Sequence, residues 1–198
     1  RVPGNVIGAQ LAKNQNVLPP EYKEARVFHW GVHPSEPGMW AFAHELRAAG
    51  KFISLEPFRA PASEIEPDTL RDLFSACDLF SPNAPEAESL SGTHDSTAQA
   101  AYFRDLGVKN LAIRRGENGA NVWDLASGRG VHVPAIKTDV IDTLGAGNAF
   151  CGALAAVWNQ GLETAACRAT VAASYMIEQV GLPHQLPDPN DVERRMSE

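Results

Sequence analysis

Short apolar runs alternate along this chain with longer stretches of helical spacing. Runs at 26–30 (Arg-Val-Phe-His-Trp) and 51–55 (Lys-Phe-Ile-Ser-Leu) predict two strands with a helix over 36–49 between them. In that helix Met39, Phe42, Ala43 and Leu46 recur at the spacing of one buried face, and Gly50 stands where a C-terminal glycine belongs. A loop through Pro57 and Pro61 leads to a helix over 67–76 and a short strand, Asp78-Leu79-Phe80, which ends at Ser81-Pro82-Asn83. A helix over 94–106 stops at Gly107, and 108–113 supplies another buried strand. The runs at 121–125 and 131–133 predict a hairpin across Ser127-Gly128, and two alanine-rich helices follow at 146–160 and 163–179. Strands separated by helices of this length are joined by right-handed crossovers, which predicts an α/β fold: a doubly wound, mostly parallel sheet with helices on both faces. Ligands of such sheets sit beyond the carboxyl ends of the strands, so the turns there are where chemistry is expected.

Composition narrows the class of partner. The chain has 198 residues, 44% of them hydrophobic, with 17 Lys+Arg against 24 Asp+Glu and a net charge of −7. That suits one globular domain over 1–198 with a sizeable core. The field repels a polyanion and no basic run offsets it, so nucleic acid is not an expected partner. No stretch approaches the ~18 apolar residues that a membrane span requires. Cys77, Cys151 and Cys167 form no CxxC pair, and their apolar settings predict reduced thiols in a cytoplasmic compartment. Residues 183–198, with Pro187 and Pro189 before a charged end, are expected to form a surface strap of the same domain. The chain starts at Arg1 without the layout of a signal peptide.

The segment richest in chemistry is 139–150, centred on Gly145-Ala146-Gly147. Small residues there let backbone N–H groups turn inward, and the following helix adds the positive end of its dipole. Such an anion hole suits a phosphoryl group in transfer, whose charge must meet donors already in place. The same residues also describe a tight turn capped by Asn148, a common N-cap residue.

Asp142-Thr143-Leu144-Gly145-Ala146-Gly147-Asn148-Ala149-Phe150 resembles the C-terminal signature of the PfkB carbohydrate kinases, the ribokinase-like kinases, whose pattern is Asp-Thr-Thr-Gly-Ala-Gly-Asp-Ala-Phe. Three more segments agree in order. Ser81-Pro82-Asn83-Ala84-Pro85-Glu86-Ala87 resembles the family's Pro-Asn-x-x-Glu-Ala run; Arg114-Arg115-Gly116-Glu117-Asn118-Gly119-Ala120 resembles its Thr-x-Gly-x-x-Gly-Ala phosphate turn. The alanine-rich helix ending at Val180-Gly181 resembles the one beside the adenine ring, where Val171 and Gly181 would face the base. The resemblance implies transfer of the γ-phosphoryl of ATP to a hydroxyl of a sugar, nucleoside or similar small molecule. Gly145, Ala146 and Gly147 would hold the phosphoryl, position 148 the base, and Arg114, Gly116, Glu117 and Gly119 the nucleotide phosphates. Asn83 and Glu86 would organise Mg²⁺ and its waters, and Asp142 a monovalent cation such as K⁺. Asn83 with Glu86 three residues on is equally the spacing of a capping box. Lid strands of such kinases often join two copies, so the resemblance also admits a homodimer.

Three positions depart from the pattern. Asn148 stands where the family has its catalytic aspartate, and a neutral amide cannot take up the hydroxyl proton; general-base catalysis is worth ~10²–10⁴ in rate, so transfer is expected to be weak. Arg114 replaces the threonine of the phosphate turn and Leu144 the second threonine of the signature. A guanidinium can still meet phosphate, with a fork of donors. The family's sugar-binding front and lid have no counterpart here, and Pro3-Gly4-Asn5 with Asn16-Val17-Leu18 resembles the segment closing that first part, so roughly the N-terminal third of such a kinase is expected to be absent. The alternative is a non-catalytic nucleotide-binding or partner-binding pseudokinase. A dinucleotide-binding oxidoreductase is disfavoured, because no strand is followed by GxGxxG. His29 and His33 fall on a strand and its loop and lack the helical spacing of a metal pair. Cys151, near the start of the glycine-turn helix, is expected to be buried.

Overall fold

Four strands lie side by side in chain order, each parallel to the next: β1 (Val27–Val32), β2 (Phe52–Pro57), β3 (Leu79–Phe80) and β4 (Asn110–Arg114). The hairpin strands β5 (Ala120–Asp124) and β6 (Arg129–Val133) extend the sheet antiparallel beyond β4. The register places Leu55 beside Phe80 and Phe80 beside Leu111, so the carboxyl ends of the parallel strands share one edge. This computed structural model describes residues 19–197; the Pro3-Gly4-Asn5 and Asn16-Val17-Leu18 segments lie outside the described residues.

Helices cover both faces, as the α/β reading requires. On one face α1 (Ala41–Ala48), α2 (Pro67–Ser75), α3 (Ala84–Ser91) and α4 (Ser96–Asp105) bury Leu46, Leu73, Phe74, Ala87 and Phe103 against Ile53, Leu55, Phe80, Leu111 and Ile113. On the other, α5 (Ala146–Ala156) and α6 (Leu162–Ile177) bury Phe150, Leu154, Ala165, Ala166 and Ala169 against Leu79, Ala112, Ala120, Val122 and Val133. Neighbouring strand residues go to opposite clusters, Leu79 and Phe80 for instance, because side chains alternate along a strand. Among the described residues no helix is long and apolar enough to cross a membrane.

Four elements differ from expectation. The helix expected over 36–49 begins at Ala41, because Pro37–Met39 closes a separate 3₁₀ turn and Trp40 (φ −117°, ψ 4°) leaves helical geometry. The stretch after Asn83 folds into α3. The helix expected to reach residue 160 ends at Ala156, with a distinct turn at Trp158–Gln160. The expected strap contains α7 (Pro189–Arg195), capped by Asp188, whose side chain accepts from the Asn190 N–H. That helix is fastened to α6: Tyr175 donates to Asp191 (2.5 Å), Arg195 stacks over the Tyr175 ring (4.0 Å) and reaches Glu178 (2.6 Å).

Candidate functional site

The glycine turn meets α5 at the edge where the parallel strands end. Gly145 is the N-cap of α5 in left-handed geometry (φ +88°), which calls for glycine; a Cβ there would meet only the flexible end of Met176, 2.6 Å from its Cε. The turn is therefore not capped by Asn148, which is the third residue of α5 and exposed. No side chain caps Gly145, and the first N–H to close a helical bond across it belongs to Ala149 (2.9 Å to Gly145 O). Among the described residues the N–H groups of Gly147 and Asn148 have no hydrogen-bond partner. Open donors and the helix dipole together favour an anion.

Opposite this turn the chain leaves β4 through the Gly116–Asn118 turn and re-enters the sheet as β5. Gly119 (φ +74°) packs against β6 so closely that a Cβ would fall 2.0 Å from Val133 O. The two turns wall a cleft of ≈ 1210 Å³ whose floor includes Thr170, Ala173, Ser174 and Ile177 of α6. At its far end Ser96 Oγ accepts from Arg115 and Asn121 (2.9 Å each), and Asn121 Oδ1 lies 2.8 Å from His132 Nδ1, so donors and acceptors are held in place around an apolar slot. Clefts of this make-up, apolar with a few fixed polar groups, are what small planar ligands require.

Beneath the glycine turn lies a buried polar seam. Glu56 at the end of β2 is 6% exposed, and its Oε2 meets Arg114 Nη2 at 2.7 Å. The same nitrogen donates to Ser81 O (2.9 Å) and stands 3.7 Å from Glu86 Oε2. His29 Nε2 approaches Glu56 Oε1 at 3.4 Å, and its Nδ1 is 3.0 Å from Ser54 Oγ. Burial works against the Glu56 charge, but His29 and the Arg114 guanidinium outweigh it and hold the carboxyl below its ordinary range. Glu86 goes the other way: burial dominates and raises it, against the Asn83 N–H and Arg114. Cys151 is fully buried, as expected, with Sγ 3.2 Å from Ser81 Oγ and 3.6 Å from Glu56. Burial pushes its thiol up to about 12, so it stays protonated.

Of the residues singled out from the sequence, Arg114, Gly116, Glu117, Gly119, Ala146 and Gly147 line the one cleft, with Gly145 and Asn148 in the same turn. Asn83 and Glu86 stand behind it, tied to it through Arg114. Val171 is buried and Gly181 exposed, and neither lines the cleft. Asp142 is at the mouth of the turn, its Oδ1 accepting from the Leu144 N–H (2.9 Å). Sequence reasoning passed over Glu56, although a carboxylate ending a buried strand two residues after Ser54 is a signal in itself.

The donor set expected for Mg²⁺ does not fit a divalent ion as it stands. Asn83 and Glu86 form a full capping box: Asn83 Oδ1 accepts from the Glu86 N–H (2.9 Å) and Glu86 Oε2 from the Asn83 N–H (2.8 Å). The charge on the carboxylates is met instead by Arg114.

A model of the pfkB family of carbohydrate kinases matches residues 5–189. A cytidine kinase of Thermococcus kodakarensis is 27% identical over 150 residues, 76% of this chain and 54% of its own length. A deoxyribokinase of Salmonella typhi is 36% identical over 118 residues, 56% of this chain and 38% of its own. A ribokinase II of E. coli, solved with ATP and Mg²⁺, superposes with a TM-score of 0.69 at 21% identity, over 89% of this chain and 60% of the other; it shares the fold. The chain thus spans about half or less of the length of these curated relatives.

Proposed function

The chain belongs to the pfkB family of carbohydrate kinases, and from that premise we propose that it binds ATP and transfers the γ-phosphoryl to a hydroxyl of a sugar or nucleoside, slowly. The observation that carries this reading is the pairing of the open N–H groups at Gly147–Asn148 with the Gly116–Gly119 turn across one cleft. The phosphates would lie between the two turns and the base over Thr170, Ala173 and Ile177. In the transfer a bond forms between the acceptor oxygen and Pγ while the Pγ–O bond to ADP breaks, and the acceptor's proton must leave. The open N–H groups stabilise charge on the phosphoryl oxygens without reorganising. Position 148 offers an amide, which cannot take up that proton.

Asn148 is also the observation that favours a second reading, a nucleotide-binding pseudokinase. Asn148→Asp separates the two. On the kinase reading, ATP-dependent phosphorylation of a panel of sugars and nucleosides rises by ~10²–10⁴, with ATP affinity changed less than about threefold. ATP binding with no gain in transfer supports the pseudokinase; no ATP binding in either protein overturns both.

A further inference from the structure

Arg114 is the side chain on which the site converges. One terminal nitrogen, Nη2, is 2.7 Å from Glu56 Oε2, 3.7 Å from Glu86 Oε2 and 2.9 Å from Ser81 O. The other, Nη1, lies against the glycine turn: a Cβ on Gly147 would be 2.1 Å from it. The guanidinium thus fills the space between two carboxylates and an anion-binding helix end, and it lines the cleft. A structural ion pair would need just one carboxylate and no contact with the turn. Arginine is charged at every working pH, and its fork can hold a carboxylate on one side while offering a donor to phosphate on the other. A divalent cation placed there would lie within a few ångströms of that fixed positive charge and would find Glu56 Oε2 engaged by Arg114 and Glu86 Oε2 by the Asn83 N–H.

We propose that Arg114 is a tethered cation that takes the place of a divalent metal between Glu56, Glu86 and the glycine turn, so that nucleotide phosphates bind this chain largely without free Mg²⁺. The inference rests on the nucleotide-binding reading above and assigns its counter-charge. The guanidinium needs no ion from solution, and Gly147 is the residue that leaves room for it. Removing it frees the two carboxylates, a donor number that a hard cation accepts.

The test compares wild type with Arg114→Thr. A non-hydrolysable ATP analogue is titrated by calorimetry in excess EDTA and in excess Mg²⁺, and Mn²⁺ alone is titrated by electron paramagnetic resonance. Expected for wild type is affinity within about threefold under the two conditions, and for Arg114→Thr at least about tenfold tighter binding with Mg²⁺. Mn²⁺ should bind Arg114→Thr at least about tenfold more tightly than wild type, and adding Glu86→Gln should abolish the gain. Wild-type binding that needs Mg²⁺ by about tenfold or more overturns the proposal, as does equal Mn²⁺ affinity in the two proteins. If wild type binds no nucleotide under either condition, the nucleotide reading fails, and the Mn²⁺ comparison still decides the role of Arg114. If Arg114→Thr does not fold, the wild-type comparison in EDTA and Mg²⁺ decides alone.

Discussion

The two faces of the sheet are built from different materials. Under α1 to α4 the core is aromatic and dry: Phe74, Phe80 and Phe103 pack as a triad with ring centroids 4.9–5.8 Å apart, and all three are at most 1% exposed. Under α5 and α6 the helices present alanines, and the strands answer with Ser54, Glu56, Ser81 and Arg114 among their apolar residues. Small side chains let α5 come close to the strand ends, which brings its open N–H groups over the polar seam. The dry face can be dense because nothing has to enter it. The alanine face buries Phe150 but no aromatic triad, and its buried charges are held by one another.

That contrast is broken most strongly at Phe103. Truncating this buried ring to alanine removes its apolar burial and its contacts with the Phe74, Phe80 and Tyr102 rings, and ~3–5 kcal/mol of stability is expected to go in urea unfolding. Nucleotide affinity of the folded fraction should stay within about threefold, because the seam is on the other side of the sheet. A tenfold loss in affinity would mean that the two faces are not independent.

The dry face is also the part that can be read along the sequence. Ile53, Leu55, Phe80, Leu111 and Ile113 are apolar at period two, and Leu70, Leu73 and Phe74 at helical spacing, so each declares its element locally. The glycine turn was readable for the same reason, being nine consecutive residues. The seam was not. It is assembled from β1, β2, β3, β4 and α5, with Cys151 and Glu56 95 positions apart, and each member alone is one polar residue in an apolar run. The α3 helix was hidden by its length of eight residues and its Pro85, although Asn83 and Glu86 marked its start. The tail misled through Pro187 and Pro189: Pro189 is the first residue of α7, a position that proline tolerates because its missing N–H would be unbonded anyway.

Gly147→Ala tests the alanine face. In an open helix the change would gain up to ~1 kcal/mol from helix propensity. Here the new methyl falls 2.1 Å from Arg114 Nη1, so the guanidinium must leave the turn or the turn must move. Stability is expected to change by no more than ~1 kcal/mol, since propensity offsets the strain, while ATP-analogue affinity falls by about tenfold or more. Calorimetry and urea unfolding on the same sample read both. Unchanged affinity would show that Arg114 and the turn do not act together.

The smallest expected effect concerns the outer side of the alanine face, where α7 is fastened to α6 by charge. The Tyr175 hydroxyl, then Arg194, hold Asp191 down at about 2. Burial opposes the charge on Glu178, but its bonds from Arg195 and Thr138 prevail and lower it as well. Both carboxyls are lowered on folding, so what they contribute is complete above their ordinary values of 4.5 and 3.8 and is lost as pH falls toward 2. The N–H groups of Asn190–Arg195 should therefore lose hydrogen-exchange protection on acidification before those of Leu55 and Leu111, which lie under the aromatic core. Asp191→Asn should bring that loss to neutral pH and leave the strands protected. If the strands and α7 open together in both proteins, the tail is part of the alanine face's cooperative unit, and the boundary between a fixed sheet and a charge-fastened helix disappears.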